Sequence, residues 1–108
     1  MIEIEFQNHI IFIGKNKYEN ANLLDMANPE DYWIHVKDLP SGHVIIKNPT
    51  GNRIPNKIIK RACCLLKSSN DKHKCINKLE FDVTKRKNIT LTHNIGEVMI
   101  SESKTFTL

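Results

Sequence analysis

The first thirteen residues carry two short hydrophobic patterns. Residues 2–6 alternate isoleucine or phenylalanine with glutamate, and this two-residue period predicts a half-buried strand. Asn8 offers a turn, after which His9–Ile13 is an almost continuous apolar run that ends at Gly14. A run of that kind predicts a second, more deeply buried strand.

The following segment, residues 14–31, is rich in asparagine and contains Pro29. This composition predicts an irregular connection between elements. One helical turn is expected within it, over residues 21–27, with Asn20 as its N-cap.

Two further strands are predicted over residues 32–37 and 43–48, on either side of Asp-Leu-Pro-Ser-Gly, which suits a hairpin loop. The strands alternate, and a pairing slipped by one residue would mix apolar with polar side chains on both faces. In the favoured register the apolar face carries Ile34, Val36, Val44 and Ile46, and the other face carries Trp33, His35, Lys37, His43, Ile45 and Lys47.

Pro55 is well placed to begin a helix, and from there to about Ser68 apolar residues recur at helical spacing. They cover one side of a helical wheel, and basic residues cover the other. The basic side carries Lys57, Lys60, Arg61 and Lys67. The remaining chain predicts a β-meander with strands over residues 76–84, 88–92, 97–101 and 105–108. The predicted fold class is α+β, a mostly antiparallel sheet with one main amphipathic helix over residues 55–68.

The length of 108 residues predicts one domain, residues 1–108. No apolar run approaches the roughly 20 residues that span a bilayer, and the N-terminus lacks the features of a secretory signal. The three cysteines, two of them adjacent, do not form a disulfide framework, which favours a reducing compartment. We therefore expect a cytoplasmic protein without a membrane partner. The oligomeric state stays open.

Positive charge is concentrated in one third of the chain. The net charge is +4, but residues 57–87 alone hold ten basic and three acidic residues, a local charge of +7. A concentrated basic region attracts polyanions and neutralises phosphates on contact. A solvated face that only keeps a small protein soluble would give the same count, so charge alone does not decide between the two.

The sequence offers three kinds of candidate reactive site, and none has a complete set of residues. His35 or His43 beside an aspartate would make a general base, but no serine or cysteine stands in a nucleophile context. His73-Lys-Cys75 lacks the ligand number and spacing of structural zinc sites. Gly14-Lys-Asn16 lacks the glycines and the terminal Lys-Ser/Thr of a P-loop, although a turn there suits a single phosphate. We expect no catalytic residue, metal or cofactor.

Nucleic-acid recognition on a sheet needs flat rings for base stacking beside donors for phosphates or base edges. The polar face of the predicted hairpin supplies both kinds of group, in Trp33, His35, Lys37, His43 and Lys47. Two alternatives stay open: Trp33 is a core residue, or the two histidines are hydrogen-bonded structural residues.

The stretch from Asp31 to Ile46, Asp-Tyr-Trp-Ile-His-Val-Lys-Asp-Leu-Pro-Ser-Gly-His-Val-Ile-Ile, closely resembles the signature of the NFACT-R domain. That domain is the RNA-binding module of the NFACT proteins of ribosome-associated quality control. Upstream, Gly14-Lys-Asn-Lys-Tyr-Glu-Asn20 is similar to a second family segment, and the resemblance extends over about residues 9–108. Small eukaryotic members with a C-terminal coiled coil are especially similar. The coiled coil and the other NFACT domains are not in this sequence, so the resemblance implies the binding module without peptide-tailing activity.

The leading hypothesis is therefore a module that binds structured RNA such as tRNA or rRNA, with DNA as a second polyanion. The expected phosphate contacts are Lys57, Lys60, Arg61, Lys67, Lys85, Arg86 and Lys87. Two other classes stay open. One is a protein-interaction adaptor with an acidic partner, and the other is an RNA-processing or RNA-modifying enzyme that uses His35 and His43.

Overall fold

A computed structural model describes all of residues 1–108. The elements in chain order are β1 Ile2–Phe6, β2 His9–Ile13, α1 Lys17–Met26, β3 Tyr32–Val36, β4 Val44–Ile46, α2 Asn56–Ser68, β5 Glu80–Lys85, a 3-10 turn at Arg86–Asn88, β6 Ile89–Leu91, β7 Val98–Ile100 and β8 Lys104–Thr107. Six strands form one antiparallel sheet in the order β1-β2-β4-β3-β5-β8, and β6 and β7 form a separate two-stranded sheet. The α+β class is confirmed.

The hairpin registers follow from the local sequence. Gln7 and Asn8 both have positive φ, 47° and 67°, which is the backbone of the two-residue turn that matches strand twist. In the second hairpin Trp33 lies opposite Ile45, and Ile34 lies opposite Val44. This is the predicted register, so the hydrophobic pattern was sufficient to fix it.

Helix α2 covers one face of the main sheet. Its apolar side, which includes Ile58, Ala62 and Leu66, is buried against the strand residues that point the same way. The sheet contributes Ile11, Ile13, Ile34, Val36, Val44, Ile46, Phe81 and Val83 to this core. The predicted amphipathic helix is confirmed, with Pro55 as its N-cap.

Helix α1 and the β6–β7 hairpin cover the opposite face. A second, smaller core joins Leu23 and Leu24 of α1 to Trp33, Ile45 and Ile89. The sheet therefore has a helix on each side, because two consecutive strand residues point to opposite faces and both faces carry large apolar side chains.

The segment before β3 differs from the prediction of one helical turn capped by Asn20. Helix α1 has 10 residues, and its N-cap is Asn16, whose side chain accepts hydrogen bonds from the backbone N–H groups of Tyr18 and Glu19. Apolar residues do not recur at a clear helical spacing in this segment. The helix is instead stabilised by the burial of Leu23 and Leu24 against the sheet. Tertiary packing overrides a weak local signal here.

The four predicted strands of the tail are present as β5 to β8, but the predicted meander, in which each strand pairs with the next, is wrong. Residues 77 and 78 form a turn, so β5 begins only at Glu80, and β5 pairs with β8 instead of with the next strand. Arg86 accounts for the detour: its Nε donates to the carbonyl of Leu24 and its Nη1 to that of Ile89. The first bond holds the 3-10 turn against α1, and the second ties the turn to the start of β6, so β6 and β7 pass over the α1 side before the chain returns.

Candidate nucleic-acid interface

Three aromatic rings meet at one end of the β3–β4 hairpin. The rings of Trp33 and His35 are parallel within 5°, with centroids 5.7 Å apart. The His43 ring stands edge-on to both, at centroid distances of 5.3 Å. The predicted register brings these three together because the side chains of alternate residues share one face.

The three rings differ in exposure. Trp33 is 1% exposed and His43 is 4% exposed, whereas His35 is half-buried. Burial under α1 thus supports the alternative that Trp33 belongs to the core. Neither Trp33 Nε1 nor His43 Nδ1 has a hydrogen-bond partner, so His43 is not held in place through that nitrogen.

Both histidines are uncharged near neutral pH. Burial, together with a smaller effect of the neighbouring His35, lowers the pKa of His43 to about 3. Burial also lowers the pKa of His35, although the charge of Asp82 opposes this effect. A neutral imidazole offers one donor and one acceptor nitrogen. The pair is therefore suited to hydrogen bonding with neutral polar groups and not to neutralising phosphates.

A cavity of about 790 Å³ opens beside the rings. Its volume is within the roughly 300–1,000 Å³ of small-molecule sites. Its walls come from the start of α1, the loop at residues 40–43 and the turn before β7. The polar lining includes Lys15, Asn16, Lys17, Asn20, Ser41 and Glu97 beside Trp33, His35 and His43.

The wall of this cavity depends on close backbone approaches. The carbonyl oxygen of Gly14 would lie only 2.0 Å from a Cβ on Gly42, so the two chain segments can meet only with glycine there. Gly96 has a φ of +76°, and a Cβ there would lie 2.9 Å from the carbonyl oxygen of Lys17. Sequence reasoning weighed Gly14-Lys-Asn16 as a phosphate turn but missed Lys17 and the Gly96 turn. Lys17 and the Gly96 turn come together only because β6 and β7 lie over α1. No local sequence pattern predicts that placement.

The two lysines on the hairpin face have internal partners. Lys47 Nζ is paired with the carboxylate of Asp31, which is fully buried, and Lys37 Nζ donates to Thr105 Oγ1 at 3.3 Å. The Asp31 carboxylate also accepts from the N–H groups of Asn28 and Asn48. Lys47 therefore compensates a buried charge, a structural role that the hairpin pattern did not reveal.

The basic residues after β5 are also engaged within the fold. Lys85 and Lys87 form ion pairs with the two carboxylate oxygens of Glu30, at 2.7 and 3.0 Å. Arg86 donates to the two backbone carbonyls described above. Their cationic groups are available to a ligand only in part.

Helix α2 carries positive charge that is not engaged in ion pairs. Lys57, Lys60 and Arg61 are exposed and form no ion pair. The guanidinium of Arg61 lies over the Phe6 ring, 5.6 Å from its centroid. Lys67 is half-buried, and its Nζ lies 3.4 Å from the carbonyl oxygen of Leu108.

No three histidine, cysteine or acidic side chains are grouped so as to hold a metal ion. Neither helix has the length and apolarity that crossing a bilayer requires.

Comparison with known protein families gives a direct match. Residues 2–106 match the family described as "NFACT protein RNA binding domain", which is nearly the whole chain. This protein belongs to the NFACT RNA-binding domain family. The resemblance carried by Asp31–Ile46 is confirmed.

Relatives of this NFACT RNA-binding domain occur in eukaryotes and bacteria. The chain is 32% identical over 101 residues to coiled-coil domain-containing protein 25 of Danio rerio. This alignment covers 89% of this chain and 49% of that protein. It is 31% identical over 81 residues to the Rqc2 homolog RqcH of Streptococcus pneumoniae, and this alignment covers 74% of this chain and 14% of that protein. The chain thus spans about half the length of the first relative and a small part of the second.

A solved structure has the same fold as this NFACT RNA-binding domain. The C-terminal part of the fibronectin/fibrinogen-binding protein from Streptococcus suis superposes with a TM-score of 0.79 at 28% identity. The match covers 93% of this chain and 40% of that one.

The two candidate surfaces of this NFACT RNA-binding domain lie on opposite faces of the main sheet. The ring cavity is on the α1 side, and the cationic side of α2 is on the other. The sequence predicted the two surfaces separately, from the alternation in the hairpin and from the helical wheel, but it did not predict that they lie on opposite faces of the sheet.

Proposed function

We propose that this domain binds structured RNA such as tRNA or rRNA, in connection with translation or ribosome quality control. Membership of an RNA-binding domain family supports RNA as the ligand. The similarity to streptococcal Rqc2 homologs supports the connection to ribosome quality control. DNA carries the same phosphates and is the competing polyanion.

One observation carries the proposal beyond the family: Lys57, Lys60 and Arg61 present unpaired positive charge on one exposed side of α2. Cations without an internal partner neutralise phosphates without first breaking an ion pair. We propose that these three make the main phosphate contacts of the α2 surface. Lys67, Lys85, Arg86 and Lys87 have internal partners and would contribute less.

We further propose a binding module, not an enzyme. His43 has a pKa of about 3, and general acid–base catalysis near neutral pH is most effective with a pKa near 7. The three cysteines are free thiols, which supports a reducing compartment such as the cytoplasm.

The test is the double variant Lys57→Glu/Lys60→Glu, measured by fluorescence anisotropy with a labelled tRNA. Both positions are exposed, so the substitutions should change stability by no more than about 0.5 kcal/mol each, and Lys57→Glu places an acid in the first turn, where it favours the helix. Affinity should fall, and the slope of log affinity against log salt should drop by about one unit per lost phosphate contact. Lys72→Glu/Lys78→Glu is the control, because it makes the same change in net charge at two exposed residues beyond α2.

Equal losses in both double variants would show that only the net charge matters, and the α2 surface would be rejected. RNA affinity independent of salt would reject phosphate contacts altogether. An equal preference for DNA duplex would reject RNA as the specific ligand. An acidic protein partner retained after nuclease treatment, without measurable RNA binding, would favour the adaptor class.

A further inference from the structure

The ring cavity contains polar atoms that the fold leaves unpaired. Trp33 and His43 both line it and are at least nine-tenths buried, yet Trp33 Nε1 and His43 Nδ1 have no partner. Roughly 90% or more of buried backbone polar groups, and most buried side-chain polar atoms, are hydrogen-bonded. Two unpaired nitrogens in neighbouring side chains of one cavity point to a bound group that completes their hydrogen bonds. Each nitrogen has almost no accessible surface, so the rings must move slightly for that group to reach them.

The chemistry of these atoms restricts the ligand. An indole N–H only donates, whereas a neutral imidazole nitrogen donates or accepts according to its tautomer. His43 and His35 carry no charge near neutral pH, so the inner part of the site suits a neutral group. His35, the most exposed of the three rings, offers a flat surface beside these atoms. A nucleobase is flat and neutral and has acceptors and donors along its edge.

The mouth of the cavity has a different character. Lys15 and Lys17 line it, are exposed and form no ion pair. They flank the N-terminal end of α1, which carries the positive end of the helix dipole. The one acid in the lining, Glu97, has its Oε2 bound by Asn94 Nδ2 at 3.0 Å. A positive mouth before a neutral, ring-lined interior matches the two parts of a nucleotide.

We propose that this cavity holds one unpaired nucleotide, its base beside His35 and hydrogen-bonded by Trp33 and His43, and its phosphate on Lys15 and Lys17. This rests on the proposed function, because it takes RNA as the source of the nucleotide. The site adds recognition of a single-stranded end or a flipped-out base to the phosphate contacts of α2. It lies on the other face of the sheet, so the two surfaces can be disabled independently.

The experiment compares an RNA duplex of about 16 base pairs that is blunt with the same duplex bearing a short 3′ single-stranded extension. Stacking of one base corresponds to a gain of about tenfold in affinity, so the extended duplex should bind the unaltered protein about tenfold more tightly. In His43→Phe this preference should be reduced, because the base loses a hydrogen bond but keeps its place beside His35, while affinity for the blunt duplex stays the same. His93→Phe, at an exposed turn outside the cavity lining, is the matched control and should keep the preference.

Folding of His43→Phe is checked by its melting temperature. Phenylalanine keeps a ring and removes the orphan nitrogen, so the melting temperature should be equal or higher. A reduced preference together with equal stability therefore reports a role in binding. Lys15→Ala/Lys17→Ala is the second variant, since both side chains are exposed, and its preference should also be reduced.

Two further arms identify the source of the nucleotide. Free adenosine monophosphate, titrated while the His35 and His43 ring signals are followed by NMR, tests a free nucleotide. A DNA extension on the same duplex tests the sugar. A response to the free nucleotide without any RNA binding would support the cavity and reject the proposed function. Tight RNA binding with no advantage from the extension and no response to the free nucleotide would reject the cavity site and leave the α2 proposal standing.

Discussion

The side chain of Asn20 joins helix α1 to strand β4 through one buried hydrogen bond. Its Oδ1 accepts from the backbone N–H of His43 at 2.9 Å. The bond fixes the start of β4 beside the ring cavity, on the side where Gly14 and Gly42 pass close together. A residue that resembled a helix cap in the sequence thus positions the wall of the candidate site.

Asn20→Ala should lower the free energy of unfolding by about 1–3 kcal/mol, because it leaves the His43 N–H buried and unpaired. Asn22→Ala is the matched control on the same helix, since Asn22 is exposed. It should change stability by less than about 0.5 kcal/mol. Urea denaturation of the two variants measures the difference, and similar values for both would show that the Asn20 bond contributes nothing.

Asp31→Ala should cost about 3–5 kcal/mol. The substitution leaves Lys47 without its carboxylate and two backbone N–H groups without an acceptor. Asp25→Ala, an exposed aspartate of α1, removes the same charge and should be nearly neutral. Equal denaturation midpoints for the two variants would contradict the structural role assigned to Lys47 and Asp31.

Arg86→Ala should loosen the β6–β7 hairpin before the main sheet. It removes two hydrogen bonds from a charged donor, each with a net contribution of about 1.5–3 kcal/mol. Hydrogen exchange should accelerate in β6 and β7, whereas amides of β3 and β5 remain protected. Lys87→Ala, at the exposed neighbouring position, is the control, and matching exchange in both variants would rule out the anchoring role of Arg86.

Stability should depend on pH through His43. The folded protein keeps its imidazole neutral down to about pH 3, whereas the unfolded chain protonates it near pH 6.5. The unfolded state binds more protons between these values, so the free energy of unfolding decreases as pH falls below about 6.5. This one group contributes at most about 1.4 kcal/mol per pH unit.

The comparison of about pH 7.5 with pH 5 isolates this effect. His43→Phe should lose less stability than the unaltered protein over that interval, because it has no imidazole to protonate there. His93→Phe should behave like the unaltered protein. An unchanged pH dependence in His43→Phe would mean that this imidazole does not set the acid sensitivity.

Periodic patterns were sufficient for most elements near the main sheet. The alternation in residues 2–6, the register of Trp33 against Ile45 and the amphipathic period of α2 each have one face in a core. A one-residue change in strand register, or a rotation of the helix, would move the apolar side chains of such a pattern into solvent. Burial of those side chains therefore favours a single arrangement. Helix α1 lacks such a contrast, and its extent was not predicted. The four tail strands were predicted close to their observed positions, but their pairing was not, because alternation within a strand does not identify its partner.

In the candidate site, too, the features that follow from local alternation were predicted, and those that depend on distant contacts were not. Sequence placed Trp33, His35 and His43 on one face, because alternate strand residues always share it. It did not reveal that α1 buries Trp33 or that Glu30 and Asp31 bind Lys85, Lys87 and Lys47. Each of these contacts joins residues at least 16 positions apart, or depends on a helix whose local signal is weak.

The sequence by itself determined the fold class, the central hairpin and the family, since these follow from local period and from a contiguous signature. Only the tertiary structure decided which charges are free and where the cavity lies. Ion pairs and cavities form between segments distant in sequence, and their geometry exists only after the sheet has brought Lys17 against Gly96 and Asn20 against His43.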